Sequence, residues 1–532
     1  MNSSLIEFLK NPDAYPHDPE RITHIQTHIS HVFMAGSYVY KVKKPVNFEF
    51  LDFSTLEKRK YYCGREVELN RRLCSGIYLG VVTISSSNDD YQLESDNEAT
   101  IVEYAVKMRR LPQQFFLHTF IEDDRLSHQH FDRVANKLTD FYRSQQRDED
   151  ILQWGSIEKI RYNTDENFRQ TRRFLGETIG DNSFKAVHQY TNQYLKRREG
   201  LFTQRIEENR IVDGHGDLHL EHIHISPDQV RIFDCIEFND RFRYGDVAAD
   251  LAYLAMDLDF NDCPKEERYF VKEMAQKLND DDLIAHINFY KCYRAYVKGK
   301  VKSLQSSEEE VGEEDQKKAR QTAADYFGLS LRYALLGSDP TVLVFMGRIA
   351  TGKSTLAKYL SDKLDIRRFS SDRTRKTMMG LPLDQRPEAS KRKELYSPKM
   401  SRKTYRHLLD EAEGQLEGRK SVIIDATFSR KEYRDKIIEI AGAHNANGLF
   451  VETCASDGTI VGRLKSREST SGVVSDARLE DFKSLSQAYY SPAELSSTRL
   501  LKISTEPPIK HSIKKLYKKL INRHWDKETQ IL

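Results

Sequence analysis

Apolar and polar residues alternate along this chain in two rhythms, one with a period of two and one near 3.6, and the switches between them outline its elements. Ile29 to Ala35 and Tyr38 to Lys43 read as two strands joined at Gly36-Ser37, a hairpin. Much later, TVLVFM from Thr341 to Met346 is a short apolar run rich in β-branched residues, the pattern of a parallel strand buried on both faces. Leu356, Leu360 and Leu364 follow at i, i+4 and i+8, which predicts a helix with one buried stripe. Further strands are expected at Arg367 to Ser371, Val422 to Asp425, Leu449 to Cys454 and Leu500 to Ser504, with helical patterns between them. Such alternation gives a parallel sheet with helices on both faces. From Lys510 to Arg523, Lys514, Lys515, Lys518 and Lys519 alternate with Ile513, Leu516, Leu520 and Ile521, which predicts an amphipathic helix packing its apolar side on the domain.

One stretch breaks the pattern. Ser306 to Gln321, SSEEEVGEEDQKKARQ, has almost no apolar residues; an apolar helical pattern from Ala323 to Leu336 follows, then Gly337-Ser338-Asp339-Pro340. Linkers and helix ends look like this. A chain of 532 residues also exceeds the roughly 250 to 300 at which one core stops growing. The expected organisation is a first domain over 1–305, a charged linker and helix over 306–339, and a second domain over 340–532.

Composition narrows the class. With 39% hydrophobic and 31% charged residues, the chain can bury cores inside a heavily solvated surface, and disorder is not expected. It has no run of about 18 apolar residues, and its first residues lack a basic stretch followed by an apolar one, so a cytoplasmic location without a membrane is expected. Its six cysteines show no metal-ligand spacing and read as reduced thiols, with no zinc site implied. A net charge of +2 creates no global attraction for nucleic acid, which leaves the lysines of the last helix as a less favoured route to it.

After the strand at Thr341 comes Gly347-Arg348-Ile349-Ala350-Thr351-Gly352-Lys353-Ser354, followed by Thr355, which fits G-x-x-x-x-G-K-[ST] at every fixed position. Strand, glycine loop and helix stand in the required order. The glycines let backbone amides approach phosphates, and the helix N-terminus adds positive potential. Lys353 is expected to reach the β- and γ-phosphates of ATP, and Ser354 to ligand Mg²⁺. Asp425, at the carboxyl end of a strand, is placed to hold the same ion, although it could instead cap the next segment. Asp372 follows another strand and could accept the proton of an attacking hydroxyl. Arg463 and Arg467, four residues apart, share a helix face and could clamp phosphates. At these residues the segment from about 340 to 525 resembles the small P-loop kinases, the group of polynucleotide 5′-kinase, gluconate kinase and zeta-toxin-like kinases. The resemblance implies that Asp372 acts on the acceptor and that Arg463 and Arg467 form a lid.

In the first half, Asp213-Gly214-His215-Gly216-Asp217 precedes an apolar strand that ends at Asp234, which is the kinase order of catalytic loop and metal aspartate. In that scheme Asp217 takes the acceptor proton and Asp234 holds Mg²⁺. Residues 25 to 300 resemble aminoglycoside phosphotransferases and choline-kinase-like proteins, whose loop reads HGD. The resemblance implies a bilobal α+β protein-kinase-like fold, with Lys41 contacting the nucleotide and Glu66 as its partner. Lys43 is a rival, because it points to the same face of its strand. Asp246 and Asp250 read as structural. The family carries Asn where this chain has His222, a poorer Mg²⁺ ligand, so a softer ion such as Mn²⁺ or a weakened site is implied. Glu237 and Asp240 are candidate carboxylates for a cationic acceptor.

The two-part arrangement resembles a bacterial family in which an aminoglycoside-phosphotransferase-like domain is fused to an ATP-binding P-loop domain. The expectation is ATP-dependent phosphoryl transfer to a hydroxyl of a small, sugar-like molecule. Two alternatives stay open: a first domain that binds nucleotide to regulate the second, and a polynucleotide end kinase.

Overall fold

The computed structural model describes residues 3–48, 50–87, 90–94, 101–308, 311–385, 387–468 and 474–526. By packing, the chain forms two compact units, Met1–Asn163 with Arg198–Tyr290, and Thr164–Arg197 with Lys291–Leu532. These units cross the linear boundaries expected at 305 and 340, and the division falls within the helices Ile157–Thr171 and Leu283–Gln305.

The first unit opens with a six-stranded antiparallel sheet in the spatial order Ile22–Gln26, Ser30–Ala35, Tyr38–Lys43, Ile101–Arg109, Tyr78–Ser87, Asp90–Leu93. Its hairpin turns at Gly36, where φ is +57°, a conformation that suits glycine. Helix Leu56–Arg71 begins at Thr55, whose hydroxyl accepts the Lys58 amide. It packs on the strands Tyr78–Ser87 and Ile101–Arg109 and buries Cys63, Glu66, Val67 and Asn70 at i, i+3, i+4 and i+7. Two of those four are polar, so the helix delivers a carboxylate to the inner face of the sheet.

Below the sheet lies a helical part. Strand Ile211–Asp213 pairs with Tyr244–Asp246, and Ile223–Ile225 forms a hairpin with Val230–Ile232. Helix Val247–Phe260 is buried at every position from Val247 to Leu258, apolar apart from Asp250 and Asp257, which accept hydrogen bonds from backbone amides. The unit thus combines an antiparallel sheet with a helical part, an α+β arrangement.

The second unit is α/β. Five parallel strands lie in the order Arg368–Ser370, Val422–Asp425, Thr341–Met346, Asn447–Cys454, Leu500–Ser504. All six residues of the central strand are buried, as its unbroken apolar run requires. Val342, Val344 and Met346 pack with Leu408, Leu409, Ile424 and Phe450 into one core. Part of the expected linker is helical: Glu313–Leu336 is continuous, with Glu313, Glu314 and Asp315 placed against the positive end of its dipole. It packs on Asp181–Arg197 and on the last helix, Ile509–Asp526. That last helix buries Ile513, Leu516, Leu520 and Ile521 and exposes Lys514, Lys515 and Lys518, as its pattern predicts. Trp525 Nε1 donates to Gln193 Oε1 at 2.9 Å across this packing.

Candidate functional site

In the second unit the central strand ends against a loop that only glycine can start. At Gly347 φ is +139°, and an added Cβ would lie 2.5 Å from the Thr453 carbonyl oxygen. Gly352, at φ +88°, turns the chain into helix Lys353–Leu364, and Ala350 between them also takes a positive φ of 52°. The loop is tied down from several sides. Thr351 Oγ1 donates to the Arg348 carbonyl at 2.8 Å, while Arg348 pairs with Asp457 at 2.9 Å and donates to the Ala455 carbonyl at 3.0 Å. Ile349 packs against the cluster of Ile460 and Leu464. Ser354 and Thr355 lie exposed in the first turn of the helix.

Lys353 Nζ donates to the Arg348 carbonyl at 2.7 Å, so the lysine is folded back over its own loop. Burial lowers its ammonium below the ordinary lysine range, and the charges of Asp425 and Asp372 act against that shift. Asp425 is 2% exposed; burial raises its carboxyl, opposed by Lys353, by a hydrogen bond from Ser354 and by Arg368, whose Nη1 lies 3.0 Å away. Lysine, serine and aspartate therefore share one electrostatic environment at the carboxyl end of the sheet. Asp372 stands in the first turn of Ser371–Met378, 3.4 Å from Arg375 Nη1. Arg463 Nη1 donates to the Ala350 carbonyl at 3.2 Å, and its other nitrogen donates to the Thr505 carbonyl, so this arginine braces the loop. Arg467 lies on the same helix, Asp457–Glu468, and its charge also acts on Lys353. Sequence reasoning missed Lys376, a fully buried lysine that pairs with Asp476 at 3.1 Å; nothing in its local pattern distinguishes it from a surface lysine.

In the first unit five charged side chains converge under the sheet. Lys41 Nζ lies 2.6 Å from Asp234 Oδ1 and 2.9 Å from Glu66 Oε1, while Lys43 Nζ lies 2.6 Å from Glu66 Oε2 and also contacts Glu237. Lys41 thus joins the helix to Asp234, and Lys43 is the fully buried rival. Burial disfavours the Lys41 charge, yet Asp234 and Glu66 outweigh it and hold the ammonium well above the usual lysine range. Glu237 is committed to Lys43, and Asp240 pairs with Arg243 at 2.6 Å, so these two carboxylates do not form a pocket for a cationic acceptor.

The loop from His215 to Asp217 is held by one carboxylate. Asp250 accepts the amides of His215 and Gly216, each at 2.8 Å, and the Tyr142 hydroxyl at 2.8 Å. His215 Nε2 donates to the Phe233 carbonyl at 2.9 Å, which links the loop to Asp234. Asp246 grips the buried Arg205, whose other side pairs with Asp280 at 2.8 Å, and caps the helix through the Ala248 amide. Both aspartates serve the scaffold.

His222 Nδ1 donates to the Asp217 carbonyl at 2.9 Å, and its Nε2 lies 3.4 Å from Asp234 Oδ2. Burial pushes the His222 imidazole down to about 3, so it is neutral at physiological pH. His219 Nε2 lies 3.2 Å from Asp217 Oδ2. Among the described residues, donor atoms of Asp217, His219 and His222 all fall within 4.8 Å of one another. His219 went unnoticed in the sequence, although three histidines at 215, 219 and 222 were a visible signal. Ser354 with Asp425 is an oxygen donor set that fits Mg²⁺, whereas Asp234 with His222 is a mixed set that fits a softer ion better.

Residues 342–492 match the family model described as an AAA domain. The match lies wholly within the second unit. Its P-loop stands at the start of the matched segment, and Asp372, Asp425, Arg463 and Arg467 all fall within it. Over 425 residues the chain is 29% identical to uncharacterized proteins of Mycobacterium tuberculosis and Mycobacterium bovis, covering 79% of this chain and 82% of theirs. Among solved structures, a gluconokinase from Sinorhizobium meliloti 1021 is similar at TM-score 0.27 and 16% identity, over 36% of this chain and 97% of that one. A choline/ethanolamine kinase family protein from Mesorhizobium loti is similar at TM-score 0.34 and 12% identity, over 62% and 98%. No helix among the described residues is long and apolar enough to cross a membrane.

Proposed function

We propose that the protein is an ATP-dependent phosphotransferase with two nucleotide sites, acting on a hydroxyl of a small, sugar-like molecule. One observation carries this reading: in each unit a partly buried lysine and an aspartate converge where nucleotide phosphates and their cation would lie. In the AAA domain these are Lys353 and Asp425, and in the first unit Lys41 and Asp234. Mg²⁺ neutralises phosphate charge when bound; Ser354 and Asp425 would hold it in one site, Asp234 and His222 in the other, where Mn²⁺ is the better match.

The protein's own part is positioning. Loop amides from Gly347 to Ser354 cradle the phosphates, and Lys353 swings from the Arg348 carbonyl to meet them. Arg463 fixes the loop, and Arg467 offers charge to the transferring group. Asp217 in the first unit and Asp372 in the AAA domain take the proton of the acceptor hydroxyl. Glu66 keeps Lys41 aligned.

Transfer of label from γ-labelled ATP into a fractionated metabolite extract tests this, using wild type, Asp217→Asn and Lys353→Ala in Mg²⁺ and in Mn²⁺. Loss only in Asp217→Asn assigns the kinase to the first unit, and loss only in Lys353→Ala assigns it to the AAA domain. A wild type that binds ATP yet labels nothing in either metal sinks the two-site reading. The second reading, a nucleotide-binding regulatory first unit, would then take its place; the histidine at position 222 favours it. Polynucleotide end-kinase activity is less favoured, and salt-sensitive DNA or RNA binding below about micromolar would be its mark.

A further inference from the structure

We propose that Asp217, His219 and His222 form a binding site for a borderline divalent transition ion, with Asp234 as a fourth donor, able to fill without nucleotide. The residue types are those that such ions choose: two imidazoles and one or two carboxylates, where Mg²⁺ would take oxygen throughout. Spacing agrees with the chemistry. Two ligands at about 2.1 Å from one ion in tetrahedral arrangement stand about 3.4 Å apart. His219 Nε2 lies 3.2 Å from Asp217 Oδ2, and His222 Nε2 lies 3.4 Å from Asp234 Oδ2. Donor atoms of Asp217, His219 and His222 all lie within 4.8 Å of one another.

The imidazoles are also oriented from behind, as metal-binding histidines are. His222 Nδ1 donates to the Asp217 carbonyl, which fixes the tautomer and leaves the Nε2 lone pair facing Asp234. His219 Nδ1 faces Asp257 Oδ2 at 4.0 Å, and that carboxylate is itself anchored by the Leu220 amide at 2.9 Å. The two rings are in contact, 3.9 Å apart between centroids. An ion here occupies the Asp217 carboxylate. It would therefore inhibit phosphoryl transfer by the first unit, a consequence that rests on the proposed role of Asp217.

The test uses untagged full-length protein, freed of metal by a chelator, titrated with Co²⁺ and then Zn²⁺ in the absence of nucleotide. Co²⁺ uptake is followed by visible absorption, and Zn²⁺ by its displacement of Co²⁺. Wild type is expected to take up one Co²⁺ at this site and release it to Zn²⁺. His219→Ala and His222→Asn should each weaken uptake on the order of tenfold or more, and His511→Ala, at an exposed histidine of helix Ile509–Asp526, should leave it unchanged. Circular dichroism and metal-free melting curves establish that each variant is folded, and His219→Gln replaces His219→Ala if the latter is not. No Co²⁺ uptake by wild type, or equal uptake by wild type and the histidine variants, overturns the site. Because binding is read without ATP, absence of phosphoryl transfer would leave this result standing, and the converse also holds.

Discussion

At Gly216 there is no room for a side chain: φ is +84°, and a Cβ would meet the Phe242 carbonyl oxygen at 2.9 Å. Gly216→Ala is expected to cost roughly 1–3 kcal/mol from backbone strain alone, seen as a lower midpoint in urea unfolding of the first unit. Gly347 is tighter still, and Gly347→Ala should abolish ATP binding by the AAA domain in a fluorescent-nucleotide assay. A third prediction concerns histidines. Burial pushes His31 and His224 down to about 4, so the folded first unit keeps them neutral over a range in which the unfolded chain, near 6.5, takes up protons. The unfolded state then binds more protons, and stability present above about pH 6.5 is lost as pH falls toward 4. Urea midpoints measured from pH 7.5 to 4.5 should decline, and His31→Phe should make the decline shallower; an unchanged slope would count against this account.

Among the elements, the loop from His215 to Asp217 depends on the distant helix Val247–Phe260 through Asp250. Asp250→Ala leaves two amides and a tyrosine hydroxyl without their acceptor, at about 1–3 kcal/mol for each group that stays buried. Transfer by the first unit should fall while ATP binding by the AAA domain is retained. The P-loop helix responds to packing instead: Leu360→Ala is expected to cost about 2–5 kcal/mol, read as a reduced melting temperature. The same elements show what the sequence could and could not reveal. The parallel strands were legible to within two residues because burial on both faces writes an unbroken apolar run. Strands Tyr78–Ser87 and Ile101–Arg109 were not, because their burial is irregular and Glu103 sits inside, paired with Arg59 at 2.8 Å. The P-loop was readable because each residue type has a local reason. His219 stood two residues from Asp217 in the sequence but fills no fixed position of the kinase motif, and Glu237 misled because its partner Lys43 lies 194 residues away.

For the molecule as a whole, the boundary at residue 340 is a boundary of motifs and not of packing. Residues 340–532 expressed alone would lack Glu313–Leu336 and Asp181–Arg197, both of which cover the last helix. That fragment is expected to melt at lower temperature than the AAA domain in the full chain and to bind a hydrophobic dye. A fragment as stable as the parent would show that the two missing helices contribute little.

Because Asp181–Arg197 packs on Ile509–Asp526, its partner is made long after it. At a synthesis speed of about 5–20 residues per second, the intervening stretch takes roughly 15 to 60 seconds to emerge. Throughout that time Tyr190 and Tyr194 are on a nascent chain without Trp525, which later packs against both. The fold therefore places a waiting period inside translation, and a slow ribosome or a shortage of chaperones would be felt first at this early helix.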